Sequence, residues 1–320
     1  IGVGTFEAPC FPANSRILAT WFPQQERARA NSIYSVGQYA GIAFLSVPLF
    51  WITQQFGWRS LFLLAGGFGV ALGLTFWWVY REPSESTAVN AAELAHIDAG
   101  GGGEYRGAPV SFSLSQVAWL LRHRQVLGAS LGQFGGNSTQ VFFVTWFPTY
   151  LVTARGMDFL KAGTMAMLPY IGASIGVLVA GQLSDYLLKR TGSANLARKL
   201  PIVGGMLLAS TIVAANFVPA DANLLVVAIM SVAFFGQGMT NLGWTVISDV
   251  APKELIGLTA GIFNFSANLA GIVTPLVIGF AFQSTGSFFG PLVYIAVVAV
   301  LGALAYSVVL GDIRRLERPS

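Results

Sequence analysis

The sequence predicts an all-α membrane protein that crosses the bilayer nine times. Three observations carry this. Of 320 residues, 54% are hydrophobic and only 10% charged, against about 25% charged in a soluble domain. The apolar residues fall in near-continuous runs of about 20, the length of a bilayer-crossing helix. The basic residues collect in alternate loops, the pattern that fixes membrane topology. Two soluble domains, the division that length alone suggests, are excluded because so little charge cannot cover their surfaces. Disorder is excluded by the 13% of aromatic residues, since disordered chains are poor in them. A transmembrane barrel would show alternating segments of about ten residues.

The predicted spans are 1–20, 32–53, 60–80, 126–151, 162–184, 200–218, 223–247, 258–282 and 288–310. The first is the most polar, carrying Glu7, Pro9, Pro12, Asn14 and Arg16. After three spans comes a polar stretch, 81–125, with both histidines (His96, His123), the acids Glu82, Glu85, Glu93, Asp98 and Glu104, and a glycine run at 100–103. It reads as a soluble linker with a short amphipathic helix over 91–97 and a flexible glycine spacer. Six closely connected spans follow. The predicted organisation is a partial N-terminal half (1–80), a linker (81–125) and a six-helix C-terminal half (126–320). The chain starts at Ile1 inside an apolar stretch, without the basic leader of a signal peptide, and reads as beginning in mid-protein.

Placing the loop after the first span in the cytoplasm puts Arg16, Arg27, Arg29, Arg81, Arg106, Arg122, Arg124, Lys189, Arg190, Arg198, Lys199, Lys253, Arg314, Arg315 and Arg318 on that side. Only Arg59, Arg155 and Lys161 fall on the other. This predicts a cytoplasmic linker and C-terminus. The net charge of +4 is thus a topology signal, and no clustered basic face suggests a nucleic-acid partner. The single cysteine, Cys10, allows no internal disulfide and no cysteine metal cluster. No cofactor is expected.

A weak repeat relates the loops entering the second and eighth spans. Pro23 matches Pro252, Ile33 matches Ile262, Tyr34 matches Phe263, and Ala40-Gly41-Ile42 matches Ala270-Gly271-Ile272 after a one-residue gap. A six-helix period suits a transporter of two six-helix halves.

Polar residues inside the spans form stripes at helical spacing: Tyr34 and Gln38; Gln133, Asn137 and Gln140; Gln237, Asn241 and Trp244; Asn264 and Asn268. A lone buried amide is ordinarily interhelical glue worth about 0.6 kcal/mol. Several stripes on separate helices predict one polar cavity, whose amides and indole can bind sugar hydroxyls. Glu7 is the one acid well inside a span, where a charge costs roughly 2.5–3.5 kcal/mol. The functional reading is a carboxyl that takes and releases a coupling proton; the plain one is a residue at a helix end. Pro9 and Pro12 should bend that helix, which is tolerable where the freed carbonyls line a cavity. Pairs of glycines four apart (Gly37/Gly41, Gly69/Gly73, Gly128/Gly132, Gly172/Gly176, Gly257/Gly261) read as close helix contacts.

The segment GQLSDYLLKR, ending the fifth span, resembles the loop motif of the major facilitator superfamily. There Asp185, with basic groups such as Lys189 and Arg190, would hold the inward gate closed. The plainer reading is that Lys189 and Arg190 only set topology. FEAPCFPANSRILATWFPQQERARA, at 6–30, resembles the anion:cation symporter branch, most closely the bacterial galactonate-type sugar-acid:proton symporters. The similarity continues through GQYAGIAFL, GWRSLF, the linker glycines, LGQF, TWFPTYL, AFFGQG, LIGLTAGIFNF and GDIRR. The resemblance implies a major facilitator fold whose first three helices precede Ile1, with a substrate-binding arginine just before Ile1 and a second proton-linked acid on an earlier helix. It implies that Glu7 couples the proton and that Gln38, Trp244 and Asn264 contact the substrate; Asn241 and Gln133 come next, then Tyr34. The expected partners are a small organic anion, a proton and the lipid bilayer of a bacterial inner membrane, with the protein acting as a monomer. The alternatives are a facilitator for another organic anion or a drug efflux carrier. An enzyme is disfavoured because both histidines lie in the linker and no HExxH occurs; a nucleotide-driven pump would need GxxxxGK[ST].

Overall fold

A computed structural model of the chain describes residues 2–103 and 112–317. Ile1, Glu104, Arg106 and Arg318 lie outside the described residues. The described chain is helical, with no strand among its elements. The first predicted span is two helices, α1 (Gly2–Glu7) and α2 (Cys10–Trp21), followed by α3 (Arg27–Phe56) and α4 (Trp58–Val79). The linker carries α5 (Ala91–Ala99), capped by the Asn90 side chain on the Glu93 amide, and α6 (Leu114–Leu121), opened by a Ser113/Gln116 capping box. These caps satisfy amides at a helix start that would otherwise be unpaired.

The rest is α7 (Arg124–Thr145), α8 (Phe147–Thr153), α9 (Phe159–Met165), α10 (Met167–Thr191), α11 (Ala194–Ser210), α12 (Asn223–Met239), α13 (Gly243–Val250), α14 (Ile256–Thr285) and α15 (Phe289–Leu304). A 3-10 turn, Thr240–Leu242, joins α12 to α13, and a π turn, Ala305–Val309, ends α15. Six helical stretches among the described residues are long and apolar enough to cross a membrane: 58–79, 161–191, 194–217, 223–250, 253–285 and 289–309. The nine predicted crossings are therefore met on that measure by six. Helices α3 and α7 are long enough, with 30 and 22 residues, but α7 is diluted by its amides and glycines, and the first predicted span is broken at Pro9.

Helix α12 packs between α10 and α11 with backbones in contact. A Cβ at Gly176 would strike the Phe235 carbonyl, one at Gly238 the Ala173 carbonyl, and one at Gly205 the Gly236 carbonyl. Gly128 and Gly132 likewise let α7 lie against the end of α15, at Leu310 and Tyr306. The pairs Gly37/Gly41, Gly69/Gly73 and Gly257/Gly261 face open space, so only two of the five predicted pairs mark close contacts. Spacing shows that two glycines share a face, not that a helix lies against it. Gly176→Ala should cost about 1–3 kcal/mol by overpacking and lower the melting temperature of the purified protein, whereas Gly73→Ala should leave it unchanged.

Among the described residues the core has two large parts and a small cluster of Ala19, Ala251 and Ile256. One gathers Phe142, Phe143, Phe147, Tyr170, Phe234 and Ile295, with Phe143 stacked on Phe234 at 4.0 Å. The other, toward the linker, gathers Ile202, Met206, Ile247, Phe263, Tyr306 and Leu316.

Candidate functional site: a polar cavity and a buried ion cluster

Helix α1 ends at Glu7 because of the prolines that follow. Pro12 has no N–H for the Ala8 carbonyl four residues back. Asn264 Nδ2 on α14 donates to that carbonyl instead, at 3.2 Å. The break is thus satisfied from across the molecule, and it presents Glu7 to a cavity of about 710 Å³.

That cavity is lined by Glu7, Gln38, Gln133, Asn137, Gln140, Gln237, Asn241, Trp244, Asn264 and Asn268. The predicted stripes on α7, α12–α13 and α14 converge on this one space. Tyr34 does not line it, although its stripe partner Gln38 does. Trp244 is 4% exposed, stacked on Phe11 at 5.0 Å and edge-on to Phe263 at 4.8 Å. Two rings on different helices therefore fix its indole.

The amides are wired from behind. Asn241 Nδ2 donates to the Tyr39 hydroxyl at 3.4 Å, and that hydroxyl donates to Gln237 Oε1 at 3.0 Å. Gln237 Nε2 donates to Gln140 Oε1 at 3.3 Å. Tyr39, next to Gln38 and fully buried, was not singled out from the sequence; its neighbour carried the stripe. Asn137 and Asn268 spend their N–H groups on the Ala267 and Asn264 carbonyls.

At the linker end lies a buried ion cluster. Asp249, on α13, accepts from Arg27 at 2.6 Å and from Arg198 at 3.0 Å. Arg198 also binds Asp185 at 2.9 Å, Ser184 Oγ at 2.8 Å and the Gln24 carbonyl at 2.6 Å. The second oxygen of Asp185 accepts from the Arg29 backbone N–H at 2.7 Å. Gly181 makes room for this contact, since a Cβ there would run into Ser32 on α3. The motif's own basic pair stands apart: Arg190 bonds the Tyr186 hydroxyl at 2.7 Å, and both Lys189 and Arg190 are exposed. The cation that reaches Asp185 is Arg198, on the next helix. Residues one helical turn beyond Asp185 point outward, whereas α11 passes directly over it.

The linker and the C-terminal segment brace the same end. The Gln24 N–H donates to the Gly100 carbonyl at 2.9 Å, the Gly103 N–H to the Thr20 carbonyl at 3.0 Å, and Lys253 Nζ to the Gly102 carbonyl at 2.7 Å. A Cβ at Gly100 would overlap the Pro23 side chain. The glycine run is therefore a docked strut and not a free spacer. Leu316 N–H donates to the Val250 carbonyl at 2.8 Å, and Ile313 N–H to Asn195 Oδ1 at 2.9 Å. Burial, with Arg27 nearby, lowers the pKa of Arg315 against the pull of Asp249 and Glu254. Among the described residues no group of three His, Cys, Asp or Glu side chains could hold a metal ion.

The profile of the Major Facilitator Superfamily matches residues 1–275. The chain is 44% identical over 322 residues to the "Probable galactarate/D-glucarate transporter GudP" of Escherichia coli (strain K12), covering 98% of this chain and 71% of that protein. It is 42% identical to the "D-galactonate transporter" of Escherichia coli O6:H1, covering 98% and 73%. It is 41% identical to the "Probable galactarate/D-glucarate transporter GudP" of Bacillus subtilis (strain 168), covering 98% and 70%. These relatives are transporters, and the chain is a helical membrane protein and not an enzyme. With its profile matched over most of its length, this chain belongs to the major facilitator superfamily.

Proposed function

We propose that the protein carries a sugar-acid anion together with a proton across a bacterial inner membrane by alternating access. The single observation that carries this is the sharing of one cavity by Glu7 and the amide and indole groups. An ionisable carboxyl sits on the same wall as groups suited to polyhydroxylated cargo, and Asn264 grips the carbonyl of Ala8, the residue after Glu7. A change at Glu7 can thus be felt by a residue assigned to the cargo. The names of the relatives, which refer to galactarate, D-glucarate and D-galactonate, supply the substrate class.

In this reading residues 1–80 belong to one half, 81–125 are the linker and 126–320 are the other half, with nine crossings and a cytoplasmic C-terminus. Gln38, Gln133, Asn241, Trp244 and Asn264 hold the cargo, and Glu7 binds the proton. The cluster of Asp185, Arg198, Asp249 and Arg27 is the closed cytoplasmic gate, drawing α3 of one half onto α10, α11 and α13 of the other. Rocking of the halves about a midplane site must break these ion pairs, so proton and cargo must bind the two states unequally.

The test is uptake of D-galactonate, galactarate and D-glucarate by the full-length protein in proteoliposomes, with and without a pH gradient. Uptake of at least one that rises with an inward proton gradient is expected; indifference of all three to the gradient sinks the symport reading. Gln38→Ala should raise the KM of the transported acid about tenfold to a hundredfold, the loss of one hydrogen bond to a charged group of ~1.5–3 kcal/mol. An unchanged KM would remove Gln38 from the site.

A further inference from the structure

We infer that Tyr306 is a positioning residue of the cargo site: its buried hydroxyl holds the Gln133 carboxamide with oxygen turned away from the cavity and N–H groups turned in, toward an anionic oxygen of the cargo. The inference rests on the transport reading above and deepens it.

Tyr306 lies on the π turn Ala305–Val309 at the end of α15 and is fully buried. Such turns recur at functional sites. The ring occupies a slot that exists because two neighbours lack side chains. A Cβ at Gly132 would overlap the ring, and one at Gly243 would overlap the Tyr306 hydroxyl and lie 2.7 Å from Gln133 Oε1. Through this slot the hydroxyl reaches Gln133 Oε1 at 3.5 Å from behind the cavity wall.

Packing alone does not account for that oxygen. Phe263, buried in the same cluster, fills its place with no hydroxyl, and a phenol buried without an acceptor costs about 1–3 kcal/mol. Gln133 supplies the acceptor. The direction of the bond follows from the same cost. A phenol has one proton to place, so the carboxamide must turn its oxygen to Tyr306. Gln133 lines the cavity, and its Nε2 then faces that space with two donors free for cargo.

The second amide chain runs in the same sense. Tyr39 donates to Gln237, and Gln237 donates to Gln140 Oε1, so Gln140 also turns Nε2 toward the cavity it lines. Two buried tyrosines thus make one wall a row of N–H donors. Neutral donors stabilise an oxyanion without the desolvation cost of burying another fixed charge.

The test is kinetic, with the sugar acid that the native full-length protein transports in proteoliposomes. Tyr306→Phe keeps the ring in its slot and should raise KM about fivefold to tenfold, with the maximal rate within about twofold and the melting temperature within a few degrees, as expected when binding energy common to ground and transition states is lost. Because Tyr306 acts through Gln133, Tyr306→Phe added to Gln133→Ala should raise KM no further than Gln133→Ala alone. Multiplying effects in the double variant overturn the inference, as does a native KM in Tyr306→Phe. A Tyr306→Phe protein that melts early or fails to reach the membrane marks the hydroxyl as structural and also overturns it. If the native protein moves none of the three acids, the transport reading fails and takes this inference with it; if the native protein transports and only Tyr306→Phe behaves as native, the inference fails alone.

Discussion

Asp249→Ala should destabilise the protein by about 3–5 kcal/mol, the cost of leaving buried charge uncompensated. Asp249 sits between Arg27 and Arg198, whose side chains are 1% and 0% exposed, and is itself 0% exposed on its side chain. Its removal leaves two guanidiniums facing each other. Arg198 keeps Asp185 at 2.9 Å, but the Arg27 ion pair is lost, leaving only backbone carbonyls such as Phe22 at 3.2 Å. Asp185→Ala should accordingly cost less, because Arg198 then retains Asp249. The exposed Arg16–Glu82 pair, at 3.0 Å with Arg16 65% exposed, is the control: Glu82→Ala should change stability by about 0–1 kcal/mol. Thermal melting of the purified variants should order them Asp249→Ala, Asp185→Ala, Glu82→Ala, from largest loss to smallest. If the cluster is the cytoplasmic gate, the same order should appear in labelling of a cysteine placed at the linker end, as the closed state loses its lock. Native melting by Asp249→Ala would mean that the cluster holds nothing closed.

This cluster was the part of the molecule least legible in the sequence. Arg27, Arg198 and Asp249 were visible only as charges near span ends, where the positive-inside pattern accounts for basic residues without further role. Asp249 lies 51 residues from Arg198 and 222 from Arg27, and no local spacing signals a contact across such distances. The motif around Asp185 did point to an ion-paired end, but its resemblance to the superfamily's loop motif favoured the nearby Lys189 and Arg190 over the arginine on the next helix.

The cavity was more legible because its information is local. Amides at i, i+4 and i+7 must share a helix face, and a face of amides in an apolar span has to meet something polar. Gln133, Asn137 and Gln140 on α7 and Gln237, Asn241 and Trp244 on α12–α13 all reach it. The supports behind the wall were not legible. Tyr39 and Tyr306 are aromatic residues in aromatic-rich spans, and nothing in the sequence separates a tyrosine whose hydroxyl orients an amide from one that fills space. The glycine run at 100–103 misled for a related reason. Composition says that glycine permits flexibility, but these glycines allow Gly100 to pack on Pro23 where no side chain fits.

Glu7→Gln should abolish accumulation against a gradient and leave exchange intact. Glutamine keeps the shape of the protonated carboxyl but can neither bind nor release a proton, so it tests coupling separately from cargo binding. Glu7 ends α1 at the Pro9 break, exposed to the cavity, and the adjoining Ala8 carbonyl is held by Asn264. That carbonyl is free because Pro12 cannot bond it, so the local geometry needs no charge on residue 7 and should survive the substitution. For each proton carried with one cargo anion, a gradient of one pH unit is worth about 1.4 kcal/mol and supports about tenfold accumulation. The native protein should approach that ratio in proteoliposomes held at zero membrane potential. Glu7→Gln should fall to a ratio near one, while vesicles preloaded with unlabelled cargo still exchange it for labelled cargo at a rate within a few fold of native. Loss of exchange as well would make Glu7 a structural or cargo-binding residue. Retained accumulation would place the coupling proton on another group, because a side chain that cannot titrate cannot transmit the gradient.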